Sequence, residues 1–220
     1  MVPVTNLALL DNDVVLKACT YKCQHEVTSL ATLDGNPPLL LTVASYAIRS
    51  RLQRSKSIND KSGALAAFEE MQVHLTQVDP TDAELMIAAE LEEIASSQGL
   101  ELDVGESQLV AILLERQLSL ILTGDKRAIA AIAKLKAGEV GQRVVCLEQL
   151  VISLLAVIPH DELRKRICAE PTADKAITNC FGCGVPHLTH HDIVAGLSSY
   201  HSHLTKLAGA VLAPVDVLHR

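Results

Sequence analysis

The chain has 220 residues, of which 49% are hydrophobic and 20% are charged, so composition predicts a globular protein with one large core and argues against disorder. Aromatic residues make up only 2% and tryptophan is absent, which argues against a base-stacking platform for single-stranded nucleic acid. The net charge of −7 repels polyanions, so nucleic acid could bind only through a local basic patch or a metal ion.

Short apolar runs alternate with helical patterns up to about residue 150. The run VTNLALLD predicts a strand that ends at Asp11, VVLKACTYKCQHEV predicts a helix, and PPLLLTV at 37–43 predicts a second strand. A stretch rich in serine and lysine at 55–63 predicts a loop. The segment 79–99 predicts a helix that Asp79 caps and Gly99 ends.

The next segments, ESQLVAILLERQ, LSLILTGD, KRAIAAIAKLKAG and RVVCL, predict a helix, a strand, a helix and a strand. The strands are continuously apolar, which is typical of a parallel sheet with helices on both faces. We therefore predict a three-layer α/β/α domain over residues 1–150. Residues 151–220 show no strand pattern and predict a helical C-terminal extension. Seven of the chain's nine histidines lie in this segment, all of them after residue 159.

Carboxylates recur where the predicted parallel strands end. Asp11 closes the first strand, Asp125 closes LSLILTGD, and Glu106 begins the helix that leads into that strand, so all three are expected at one rim of the sheet. Clustered carboxylates are the ligands that Mg²⁺ and Mn²⁺ prefer, and such an ion can activate water against a phosphodiester. Taken singly, Asp11 and Asp125 are better explained as helix caps, and Glu106 as an acid favoured by a helix dipole, so the metal site is favoured only by the rim that the three share.

The segments LLDNDVVLK and LDVGESQLVAILLERQLSLILTGDKRA resemble the PIN-domain family of metal-dependent nucleases, in a branch whose third acid lies in a G-E-S helix start. The resemblance covers about residues 4–150. It implies that Asp11, Glu106 and Asp125 are catalytic metal ligands, with Asp13 supporting Asp11 and Ser107 as a neighbour at the rim. The implied activity is cleavage of single-stranded RNA by a water that Mg²⁺ or Mn²⁺ activates, as in toxin–antitoxin ribonucleases.

The second acid of that family is missing from the expected helix, SYAIRSRLQR, which carries Arg49, Arg51 and Arg54 instead. These arginines, extended by lysines in 55–63, predict a phosphate-binding patch, although a solvated helix face is the alternative. Glu69, Glu70 and Glu84 are candidates for the missing acid, but nothing in their spacing requires that role. An incomplete acid set leaves open a second function, a PIN-like scaffold that has lost catalysis and acts through an antitoxin or another partner protein.

The C-terminal extension contains the motif CFGCGVPHLTHH. Its Cys180, Cys183, His187 and His191 could bind a structural Zn²⁺, since C-x-x-C followed by glycine is half of a zinc knuckle. A redox pair or plain packing are the alternatives, and packing is favoured because the spacing from Cys183 to His187 is short for a zinc finger.

The remaining composition bears on location and assembly. No apolar run reaches the length of a membrane span and no export signal is found, so we expect a cytoplasmic protein without membrane contact. Six irregularly spaced cysteines are typical of a reducing compartment, and Cys19, Cys23, Cys146 and Cys168 are interpreted as small buried residues. The mean hydropathy of +0.25 predicts some apolar surface used in a homodimer.

Overall fold

The computed structural model describes residues 5–218 and contains one all-parallel sheet. Its strands within these residues are β1 (Thr5–Leu10), β2 (Leu39–Leu41), β3 (Thr76–Val78), β4 (Leu118–Thr123) and β5 (Val144–Cys146). They lie side by side in the order β3-β2-β1-β4-β5. The outermost residues, 1–4 and 219–220, belong to the two predicted segments but lie outside the described residues.

Helices flank this sheet on both sides. They are α1 (Asn12–Thr20), α2 (Gln24–Ala31), α3 (Thr42–Arg54), α4 (Lys61–Gln72), α5 (Asp82–Ser97), α6 (Val104–Glu115), α7 (Lys126–Val140), α8 (Leu147–Val157), α9 (His160–Ala169), α10 (Lys175–Cys180) and α11 (His190–Ala208). Helices α1 to α4 pack on one another, as do α5 to α7, and α11 packs on α7 and α8. The three-layer α/β/α fold with a helical C-terminal part is confirmed.

Two predicted elements differ in detail, for local reasons. The helix predicted over VVLKACTYKCQHEV is divided into α1 and α2, because the chain turns at Lys22, whose φ is +56°. Thr81, rather than Asp79, caps α5: its hydroxyl accepts from the Glu84 N–H while the Glu84 carboxylate accepts from the Thr81 N–H. This reciprocal box satisfies two backbone donors, which a single cap at Asp79 would not achieve.

The edge of the sheet carries elements that the sequence pattern did not reveal. Strand β3 is only three residues long, and two of them, Thr76 and Gln77, are exposed, so it lacks the apolar run that marks a buried strand. Helix α4 begins at Lys61, inside the stretch predicted as a loop at 55–63. Asp60 caps it by accepting a hydrogen bond from the Gly63 N–H at 2.9 Å.

The C-terminal segment is built into the same core as the sheet. The predicted boundary at residue 150 falls inside α8, and buried side chains such as Phe181, Leu197 and Leu204 belong to one continuous core with the strands. After α11 the chain returns to the edge strand β5, where the Val144 N–H donates to the Val211 carbonyl at 2.9 Å. This contact covers a sheet edge that would otherwise present unpaired backbone groups.

Within residues 5–218, no helix combines the length and the apolar character needed to cross a membrane.

Candidate functional site

The candidate site lies at the carboxyl ends of β1 and β4. These strands are neighbours, whereas the chain after β1 continues to β2 on the other side, so the strand order reverses between them. Ligands of open parallel sheets bind in the crevice at such a switch point. A cavity of about 650 Å³ lies there and is lined by carboxylates from several elements, namely Asp11, Asp13, Asp103, Glu106, Asp125 and Asp174. Its walls also carry the cations Lys17, Arg51, Lys126 and Arg127.

Asp11 is the most deeply placed of these acids, with 7% of its surface exposed. It precedes α1, but its side chain makes no capping hydrogen bond to that helix, so capping alone does not explain it. Its Oδ2 accepts a hydrogen bond from the Thr123 hydroxyl at 2.8 Å. Burial, together with the nearby carboxylates of Asp13 and Asp103, raises the pKa of Asp11 to about 6.

Thr123 joins the two strand ends and was not singled out by the sequence. It is the last residue of β4 and is 2% exposed. Its hydroxyl accepts from the Asp125 N–H at 3.2 Å and donates to Asp11, so it orients both acidic segments. The signal in the sequence is a polar residue that ends an otherwise apolar strand.

Glu106 lies in the first turn of α6 and faces the same cavity. It forms a capping box with Asp103: its Oε2 accepts from the Asp103 N–H at 2.9 Å, and its own N–H donates to Asp103 Oδ1 at 2.9 Å. Burial and the carboxylates of Asp103, Asp125 and Asp11 raise the pKa of Glu106 to about 8. Asp103 is therefore a cavity acid that the sequence analysis missed, although its position three residues before Glu106 matches a capping box.

Asp125 serves as the cap of α7. Its Oδ1 accepts from the Arg127 N–H at 2.8 Å and from the Ala128 N–H at 3.3 Å. Burial raises its pKa, but the Arg127 side chain and these two backbone donors outweigh that effect and lower the pKa overall. The carboxylate both lines the cavity and satisfies the helix terminus, so the capping and the site interpretations hold together.

Asp13 belongs to an ion-pair network at the side of the cavity. Lys17, whose side chain is 10% exposed, lies between two carboxylates, with its Nζ 2.6 Å from Asp13 Oδ2 and 2.7 Å from Asp174 Oδ2. Burial lowers the pKa of Lys17, but the two carboxylates outweigh it and raise the pKa overall. Asp174 comes from the C-terminal segment, and no sequence pattern linked it to the rim.

The glycine of the T-G-D sequence leaves room for this network. A Cβ built on Gly124 would lie 2.1 Å from Asp13 Oδ2 and 3.3 Å from Lys17 Nζ, so any larger residue would push the Asp13 carboxylate away from its position beside Lys17. We expect Gly124→Ala to displace the Asp13 side chain and to lower the free energy of unfolding by about 1 kcal/mol. Urea unfolding measures this effect. Gly138→Ala is the matched control, because a Cβ at Gly138 meets no atom within 4 Å, and an equal loss in both variants would contradict the expectation.

The other predicted site residues are distributed between the cavity and the scaffold. Ser107 is fully buried and does not line the cavity; its hydroxyl donates to Glu92 at 2.6 Å, between α5 and α6. Arg49 turns towards α4 and pairs with Glu69 at 2.7 Å, and Arg54 is exposed outside the cavity. Arg51 lines the cavity.

The candidates for the missing acid lie elsewhere. Glu69 is held by Arg49, Glu70 accepts from the Gln24 side chain at 2.9 Å, and Glu84 pairs with Arg116 at 2.6 Å. Within residues 5–218 none of the three lines the cavity.

The cysteines of the C-terminal segment adopt a different pairing from the one expected. Cys183 is joined to Cys168 by a disulfide, so the interpretation of Cys168 as an isolated buried thiol is wrong. Cys180 remains a buried thiol. Zinc binding by Cys180, Cys183, His187 and His191 would first require reduction of that bond. The sequence could not reveal the pairing, since connectivity depends on which helices meet.

The fit of a metal ion depends on donor chemistry and on arrangement. The cavity offers carboxylate oxygens, which are the donors that Mg²⁺ and Mn²⁺ prefer. Across residues 5–218, however, no three or more Asp, Glu, His or Cys side chains are grouped closely enough to hold a metal ion. The donor type fits, whereas the carboxylates as placed share a cavity and not a common centre.

Comparison with known proteins finds no match: no family model, no curated protein and no solved structure matches this chain.

Proposed function

We propose that this protein is a metal-dependent endoribonuclease that cleaves phosphodiesters of single-stranded RNA in the acidic cavity. One observation carries the proposal. Asp11, Glu106 and Asp125 come from three separate elements, yet all three line one cavity where the strand order reverses. Three carboxylates around one opening repel one another, and a divalent cation would relieve that repulsion.

In this proposal Asp11, Glu106 and Asp125 would hold Mg²⁺ or Mn²⁺, and binding would have to draw the three carboxylates to a common centre. When bound, such an ion would activate a water molecule and stabilise the charge that develops on the phosphodiester. Thr123 orients Asp11 through its 2.8 Å hydrogen bond. Asp103 provides a further carboxylate in the cavity, where the resemblance to the PIN-domain family leaves the second acid missing.

A PIN-like scaffold without catalysis is the second candidate, and one specific observation favours it. The carboxylates of Glu106 and Asp125 both accept hydrogen bonds from backbone N–H groups at helix termini. If those caps are their whole role, the cavity binds no metal and the protein acts by binding a partner. An antitoxin or a second copy of the chain is the proposed partner, and exposed apolar residues such as Val43 and Tyr46 on α3 would suit such a contact.

Calorimetric titration with Mn²⁺ tests the first candidate directly. The intact protein is expected to bind Mn²⁺, and Glu106→Gln and Asp125→Asn are expected to abolish or strongly weaken that binding. Asp161→Asn is the control, because Asp161 is exposed on α9 and lies outside the cavity. The same four proteins are then incubated with a labelled single-stranded RNA and Mn²⁺, and the loss of cleavage should follow the loss of binding.

These measurements distinguish the nuclease from the scaffold. Absence of Mn²⁺ binding at millimolar metal, together with absence of cleavage, would reject the nuclease and leave the scaffold. Metal binding that survives both substitutions would show that the ion lies elsewhere in the protein.

A further inference from the structure

The cations that line the cavity differ in whether a carboxylate lies beside them. Lys17 is held between Asp13 and Asp174 at 2.6 and 2.7 Å. Three of the four cations that line the cavity are paired with carboxylates. The other two pairs are Lys126 with the buried Glu148 at 2.5 Å, and Arg127 with Glu101 at 2.6 Å. A paired ammonium or guanidinium has less net attraction left for a phosphate than an unpaired one, and the effect is smallest for the exposed pair of Arg127.

Arg51 is the exception. It lies one turn before the end of α3, it is exposed, and it lines the same cavity as the acids. Among residues 5–218, its side chain makes no hydrogen bond and no ion pair. An arginine that is unpaired beside a cluster of carboxylates keeps its five donors available for an anionic ligand.

The C-terminal segment supplies the second carboxylate beside Lys17. Asp174 is the N-cap of α10, and its Oδ1 accepts from the Ile177 N–H at 3.0 Å. The chain just before it is anchored by Glu170, which accepts from the backbone N–H groups of Asn59 and Asp60 at 2.7 Å each. Asp174 is thereby held against Lys17 by contacts that do not involve the cavity itself.

We propose that Arg51 is the residue of the cavity that contacts a substrate phosphate, and that Asp174 opposes RNA binding by giving the cluster of Asp13, Lys17 and Asp174 a net negative charge. The inference rests on the proposed function, since it names the residue that receives the RNA backbone at the same site. It narrows the predicted basic patch to one residue: Arg49 is paired with Glu69, and Arg54 lies outside the cavity.

Binding of a short fluorescein-labelled single-stranded RNA, followed by fluorescence anisotropy in EDTA over a range of salt concentrations, tests the role of Arg51. We expect Arg51→Ala to weaken binding about fivefold near 0.1 M salt and to reduce the slope of log affinity against log salt by about 0.7, which corresponds to one lost phosphate contact. Lys165→Ala is the charge-matched control, because Lys165 is exposed on α9 outside the cavity.

The role of Asp174 is tested in the same assay by Asp174→Asn. Asparagine caps a helix as well as aspartate does, so the substitution removes the charge while keeping α10 in place. The substitution leaves Lys17 paired with Asp13 alone, so the cluster of Asp13, Lys17 and Asp174 loses its net negative charge, and RNA binding is expected to strengthen severalfold near 0.1 M salt. Asp60→Asn is the matched control, because Asp60 is also an N-cap paired with a lysine, Lys22 at 3.2 Å, but it lies outside the cavity.

Each outcome decides the inference. Absence of saturable RNA binding by the intact protein, or equal affinities for Arg51→Ala and Lys165→Ala, would overturn the assignment of Arg51. Equal weakening by Arg51→Ala and Arg54→Ala would also overturn it, because it would indicate a diffuse patch. Equal effects of Asp174→Asn and Asp60→Asn would overturn the role of Asp174. Because EDTA removes metal, binding that depends on Arg51 without any Mn²⁺-dependent cleavage would reject the nuclease alone.

Discussion

Asp11→Asn is expected to make the metal-free protein more stable at about pH 8, by about 3 kcal/mol in the free energy of unfolding. The folded protein raises the pKa of Asp11 from 3.8 to about 6 through burial and neighbouring carboxylates. A raised acid pKa means that the ionised form destabilises the fold, so the penalty appears as the pH rises from the unfolded value through the folded one. Asparagine carries no charge and can still accept the Thr123 hydrogen bond.

Urea unfolding in EDTA at about pH 4 and about pH 8 measures this difference. The gain should be large at the higher pH and nearly absent at the lower one, where Asp11 is protonated in the folded protein. Asp161→Asn, on the exposed surface of α9, controls for the general loss of one negative charge. A stability gain that is the same at both pH values would contradict the electrostatic explanation. If the more stable variant also loses Mn²⁺ binding, the carboxylate that serves metal binding is the one that destabilises the metal-free protein.

Glu84→Ala is expected to lower the free energy of unfolding by about 3 kcal/mol. Glu84 is 2% exposed, and its two carboxylate oxygens accept from Arg116 at 2.6 and 2.7 Å. Its Oε2 also accepts from the Thr81 N–H at 2.7 Å, so one side chain both pairs with Arg116 and completes the cap of α5. The pair joins α5 to the end of α6, the helix that carries Glu106, and its loss leaves the guanidinium without its carboxylate.

The pH dependence of this loss provides a second measurement. Hydrogen bonds from Arg116, opposed in part by burial, lower the pKa of Glu84 below its usual value of 4.5. A lowered acid pKa contributes stability that is present above the unfolded value and is lost as the pH falls through the folded one. The difference between Glu84→Ala and the intact protein should therefore shrink below about pH 4. Glu93→Ala, another glutamate of α5, is the control, and a comparable loss there would show that the effect does not come from the pair with Arg116.

Much of the fold was accessible from sequence because the signals are local. The apolar runs at Leu118–Thr123 and Val144–Cys146 and the helical pattern between them predict β4, α7 and β5 with their order and direction. Strand β3 was missed because an edge strand with exposed Thr76 and Gln77 has no apolar run to detect. The turn at Lys22 was missed because helical spacing of apolar residues continues on both sides of it.

The sequence by itself determined that Asp11, Glu106 and Asp125 lie at one rim, because strand ends in a parallel sheet share an edge. Only the tertiary structure decided which partner each of the side chains at that rim has. Residues distant along the chain meet at that rim: Thr123 bonds to Asp11, Asp174 pairs with Lys17, and Cys168 bonds to Cys183. The periods of helices and strands predict which face a residue occupies, whereas its partner depends on how separate elements pack. For that reason the structure, and not the spacing of the arginines, distinguishes Arg51 from its neighbours on α3.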